Sequence, residues 1–152
     1  MAAVLAATAA VARRPALARV SEALMRGLAA FSIRSRGIRQ VQTLDELGQQ
    51  WQRGFPSAKQ VPITAVTADT VHAEIHTPCP LRGSGDLAAC HRMMAYDREI
   101  LRHAGGEFVV LRSQAEPGRT HCEVAMRRAG APLDDLTPAH LRSPTPLSLI
   151  HI

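Results

Sequence analysis

Aromatic residues are nearly absent from this chain: one Trp, one Tyr and three Phe make up 3% of its 152 residues. Proteins that hold single-stranded nucleic acid stack bases on aromatic rings, so a nucleic-acid partner is disfavoured despite a formal net charge of +5. Lysine is almost missing too. Of 18 basic residues, all but Lys59 are arginine, and they are spread along the chain rather than gathered in one patch. That balance points to a GC-rich coding sequence before it points to nucleic acid. Three cysteines are an odd number and too few for a disulfide scaffold, which suits reduced thiols in a cytoplasmic protein. No run reaches the roughly 18–20 apolar residues that span a bilayer, so no membrane partner is expected.

Apolar residues are plentiful, at 46%. With so few rings, one core must be built from Leu, Val, Ile, Met and Ala, and the length suits a single domain. Residues 1–14 are alanine-rich and read as a disordered, frayed or helical N-terminus. Ala10-Val11-Ala12 resembles a signal cleavage site, yet no basic residue precedes the apolar run. Pro15 suits a first helical turn, and Leu17, Val20, Leu24, Leu28 and Phe31 then recur at spacings of three and four. This predicts a helix over 15–32 with that stripe facing the core. Thr43 and Glu46 form a capping box for a second helix that ends at Gly54 and buries Leu44, Leu47 and Trp51.

Strands are expected over 63–68 and 70–76. In the second, Val71, Ala73 and Ile75 face one way and His72, Glu74 and His76 the other. Pro78-Cys79-Pro80 makes a rigid exit. Gly83-Ser84-Gly85 is a tight loop, and Asp86 caps a helix expected from Leu87 to about His103. Phe108 to Leu111 reads as a strand buried on both faces. Glu116-Pro117-Gly118 reads as a hairpin loop, and His121 to Arg127 as a final strand with Cys122, Val124 and Met126 on one face. The architecture is α+β: N-terminal helices, then a four-stranded, mostly antiparallel sheet with the 86–103 helix packed on one face. Residues 131–146 form an irregular tail. Leu147 to Ile152 match the translation of a transposon-end sequencing adapter and are read as an artefact outside the 15–130 domain.

Several groups of residues could carry chemistry. Cys79, Cys90 and Cys122 leave a strand exit, a helix and a strand, and can point into one gap between helix and sheet. Thiolates there suit zinc, with Asp97, His91, His121 or Glu116 as further ligands, or they are buried structural thiols. His72, Glu74 and His76 alternate on one strand face, where two histidines can share a metal or simply meet solvent. Cys79 or Cys90 could be a nucleophile if His76 or His121 lowered its pKa. The amides of Gly83 and Gly85, beside Arg82, could hold a carboxylate. Tyr96 and Asp97 could line a small-molecule pocket or face the core.

Cys79-Pro80, Cys90, Asp97, Gly106 and Gly118-Arg119-Thr120-His121-Cys122-Glu123-Val124 together resemble the L-2-amino-thiazoline-4-carboxylic acid hydrolase-like family, over about residues 40–128. That family is similar in layout to vinyl-reductase-type small-molecule-binding domains. Its ending carries paired cysteines where this chain has His121-Cys122. The resemblance implies hydrolysis of a small cyclic amide or amidine carboxylate. Cys79 or Cys90 would be the nucleophile or a metal ligand, and Asp97 or His121 would move protons. Arg82, Gly83, Gly85 and Tyr96 would hold the substrate. The related sensor domains imply a zinc role for Cys122 and Cys90. A non-catalytic domain that binds a small molecule or zinc, and a scaffold with buried thiols, stay open, as does homo-oligomerisation.

Overall fold

The computed structural model describes residues 2–142. The tail beyond 142 and the adapter-like residues lie outside the described residues. Five helices and four strands alternate in two blocks: α1 (Ala2–Ala12), α2 (Ala18–Arg36), α3 (Leu44–Gln52), β1 (Ile63–Val66), β2 (Val71–Ile75), α4 (Leu87–Met93), α5 (Ala95–Ala104), β3 (Gly106–Arg112) and β4 (Cys122–Arg128). The strands form one sheet in the order β1-β2-β4-β3, antiparallel throughout. This is the α+β fold expected from the sequence.

The alternating patterns set the faces. Val71, Ala73 and Ile75 of β2 and Cys122, Val124 and Met126 of β4 point to one side. There they meet Leu47 and Trp51 of α3 and Ile100, Leu101 and Ala104 of α5. Thr43 caps α3 by accepting from the Glu46 amide at 3.2 Å, as its capping box requires. Gly106 opens β3 because a side chain has no room there: an added Cβ would lie 2.8 Å from the Arg127 carbonyl oxygen. The register pairs Glu74 with Glu123 and Ile75 with Cys122.

Two expectations differ from the structure, and the N-terminus takes the helical one of its alternatives. The helix over 87–103 is two helices, broken at Met94, whose φ of −73° and ψ of 2° leave the helical region. The alanine-rich N-terminus forms α1, with Ala9 and Ala12 packed into a second cluster around Leu81, Ala89 and Cys90. The apolar stripe of α2 faces outward. Val20 is 50% exposed and Phe31 70%, while Ser21, Met25 and Ala29 are buried. The small Ser21 and Ala29, with the unbranched Met25, form the face that packs against α1 and α5, so Val20, Leu24, Leu28 and Phe31 stay outside.

Candidate functional site

The segment from Cys79 to Cys122 is organised by a dipeptide, Ser113-Gln114, at the end of β3. The Gln114 side chain is fully buried. Its Oε1 accepts from the Cys79 amide at 3.1 Å and from Arg82 Nε and Nη2 at 3.1 and 2.9 Å. Its Nε2 donates to the carbonyl oxygens of Ile75 and Thr77 at 3.1 and 2.9 Å. One side chain thus ties the end of β2, the proline-flanked Cys79 and Arg82 together. The Gln114 amide donates to Cys122 Sγ at 3.3 Å, and Ser113 Oγ donates to Cys90 Sγ at 3.0 Å.

Each cysteine sulfur is therefore engaged within the chain, since Cys79 Sγ accepts from the Leu81 amide at 3.4 Å. Cys79 and Cys90 sit at the second cluster and Cys122 in the main core. Burial favours the neutral thiol. It pushes Cys90 up to about 11 and Cys122 up to about 12, and it raises Cys79. Among the described residues, the group of three metal-ligating side chains whose ligand atoms lie within 4.8 Å of one another is Glu74, His76 and His121, and no thiol belongs to it.

The other residues singled out from the sequence are held in similar ways. The Gly83 and Gly85 amides donate to the Gln114 and Ala115 carbonyl oxygens at 2.9 and 2.8 Å, so neither offers a donor to an anion. Arg82 also donates to the Thr120 carbonyl at 3.0 Å. Tyr96 donates its hydroxyl to the Gly54 carbonyl and accepts from the Ser32 hydroxyl, and its ring lies 6.0 Å from that of Phe55. Asp97 is buried and accepts from Trp51 Nε1 at 2.8 Å. Burial pushes its carboxyl up to about 6, against the Trp51 hydrogen bond that favours the charged form. His121 lies on the far side of the sheet from the core. Glu116 accepts from the Ser113 amide at 2.7 Å.

Two surface features remain. The first is that outer sheet face. Glu74 Oε2 lies 3.2 Å from His121 Nε2, and Glu74 Oε1 lies 3.6 Å from His76 Nε2. The two imidazoles stack with centroids 4.8 Å apart. His72 is not in the group.

The second feature is a cleft of about 110 Å³ between α4, α5, β3 and the Ala139–Leu141 turn. Leu87, Phe108 and Pro138 give it apolar walls; Cys90, His91, Arg98 and His140 supply polar atoms. The His91 and His140 rings stack at 3.7 Å. Burial, then the Arg98 charge, lowers His91 to about 4, and the same two causes lower His140. Arg98 Nη1 donates to the His91 carbonyl at 2.9 Å. Among the described residues no carboxylate lies within 4.0 Å of its guanidinium. Sequence reasoning missed this cleft, because Arg98 and His140 join it from separate elements, and it missed Gln114, which reads as an ordinary loop residue. Comparison of the chain with family models, with curated proteins and with solved structures finds no match.

Proposed function

We propose that this chain is a small-molecule-binding domain whose ligand carries a compact apolar body and an anionic head group, seated in the cleft beside Arg98. The observation that carries the reading is the half-buried Arg98 guanidinium, which has no carboxylate partner among the described residues and faces apolar walls and two neutral imidazoles. Glu22 and Asp97 act on Arg98 only through space, and a half-buried cation with no carboxylate in contact favours an anion from solution. The cleft volume is well below the ~300 Å³ of drug-sized pockets, which limits the occupant to a small molecule. The resemblance to the L-2-amino-thiazoline-4-carboxylic acid hydrolase-like family supports a carboxylate ligand of that size.

Hydrolysis of a cyclic amidine carboxylate is the second reading, with Cys90 in the cleft as its nucleophile. A thiol held near 11 is almost wholly protonated at neutral pH, so binding without turnover is favoured. Titration with 2-amino-thiazoline-4-carboxylate, followed by NMR and by assay for product, separates the two. Saturable binding that Arg98→Gln weakens at least about tenfold, with no product, supports the binding reading. Product formation that stops in Cys90→Ser replaces it with the hydrolase. Absence of binding at millimolar ligand, or binding indifferent to Arg98, contradicts both.

Three free cysteines support a reducing, cytoplasmic setting. Among the described residues no helix is long and apolar enough to cross a membrane. The exposed Val20, Leu24, Leu28 and Phe31 stripe supports homo-oligomerisation. A sedimentation profile that stays monomeric at all concentrations contradicts that inference.

A further inference from the structure

The outer face of the sheet carries three side chains of metal-ligand type, and their arrangement follows from register. β2 and β4 pair antiparallel, with Glu74 opposite Glu123 and Ile75 opposite Cys122. One step further along, His76 faces His121, and the pair shares the outer side with Glu74, because side chains alternate. The Glu74 carboxylate then reaches both rings. Its two oxygens lie 3.2 and 3.6 Å from the two Nε2 atoms. Ligand atoms bound tetrahedrally at ~2.0–2.1 Å from one zinc ion stand roughly 3.3 Å apart. Each distance, measured to a different carboxylate oxygen, is near that separation, and with one ligand atom taken from each residue all three lie within 4.8 Å of one another.

Two independent details point the same way. His121 Nδ1 lies 3.2 Å from Thr120 Oγ1. A ring that donates through Nδ1 keeps its Nε2 lone pair for a metal, which is how an outer hydrogen bond orients a ligating histidine. The register also sets the carboxylates of Glu74 and Glu123 on opposed positions of neighbouring strands. Like charges there repel, and the Arg119 guanidinium, 3.7 Å from Glu123, meets only one of them.

We propose that Glu74, His76 and His121 bind one zinc-class divalent cation on the outer face of the sheet, through the Glu74 carboxylate and the two Nε2 atoms. Two imidazoles and one carboxylate form a borderline set that suits zinc better than calcium or magnesium. Three protein ligands leave a fourth position to water or to an anionic ligand. The side chains of Glu74, His76 and His121 are 24%, 43% and 27% exposed, so a cation reaches them from solvent. The site is separate from the cleft beside Arg98 and shares no residue with it.

The test is titration of the untagged full chain with Zn²⁺ by calorimetry and with Co²⁺ by visible absorption, alongside imidazole NMR. The expected result is one ion per chain, a tetrahedral Co²⁺ spectrum, and movement of the His76 and His121 resonances alone. His76→Ala and His121→Ala should each abolish binding. Thr120→Val should weaken it about tenfold. Cys79→Ser and Cys122→Ser should leave it unchanged. Circular dichroism of each variant separates loss of a ligand from loss of fold. Absence of stoichiometric binding to the wild-type chain overturns the proposal, and so does binding that survives His121→Ala in a folded protein or that disappears with a cysteine.

Discussion

The two sides of one sheet treat their polar atoms in opposite ways. On the inner side, around Ser113 and Gln114, the three thiols, the Cys79 and Gln114 amides and the Arg82 guanidinium each have a partner within the chain. On the outer side, Glu74, His76 and His121 turn their ligand-type atoms toward one another and toward solvent. A group already satisfied and desolvated contributes stability and resists chemistry. A group satisfied only by similar neighbours is available to a ligand. Cysteine, the residue type that draws the eye in the sequence, is on the structural side of that division.

The comparison can be broken first at Gln114. Gln114→Ala removes the side-chain partner of the Ile75 and Thr77 carbonyls and of the Cys79 amide, and leaves Arg82 only the Thr120 carbonyl. At ~1–3 kcal/mol for each buried group left unpaired, urea unfolding should show a loss of about 3 kcal/mol or more. A loss under about 1 kcal/mol would mean that the inner network does not organise the segment.

A smaller effect is expected at Asp97. Its folded pKa of about 6 stands above the ordinary 3.8, so the folded chain binds an extra proton between those values. Stability contributed by this group therefore falls as pH rises from about 4 to about 6, and levels off above. Asp97→Asn keeps an acceptor for Trp51 and removes the titration, raising stability above pH 6 by up to about 3 kcal/mol. His91 acts in the opposite sense. Its folded value near 4 lies below the ordinary 6.5, so the unfolded chain takes the proton first and stability falls as pH drops through that window. Urea midpoints of Asp97→Asn should accordingly rise from pH 4 to 6.5. Midpoints that rise no more steeply than in the wild type would show that the buried carboxyl was not the source of the opposing slope.

Much of the fold was legible in the sequence. The alternation of Val71, Ala73 and Ile75, and of Cys122, Val124 and Met126, placed both central strands, and the Thr43–Glu46 box placed α3. α2 was misread because its large apolar residues suggested a buried face, whereas close helix packing selected Ser21, Met25 and Ala29 instead. The candidate site was legible only in fragments. Glu74 and His76 stood out on one strand and His121 on another, but their meeting depends on β2 and β4 being neighbours. Those strands are separated by two helices and a strand, so no local spacing encodes their register. Gln114 was hidden for a similar reason: its partners lie 32 to 39 residues away.

The central claim is that the thiols belong to the structure and the ligand-binding atoms lie elsewhere, and thiol alkylation kinetics test it most directly. In the native chain at neutral pH, Cys90 and Cys122 should react with iodoacetamide only as fast as the protein opens, and Cys79, the least buried of the three, should react first but slowly. Saturating Zn²⁺ should not change these rates. Rapid stoichiometric alkylation of one cysteine in the folded protein, or protection of the thiols by Zn²⁺, would contradict the account.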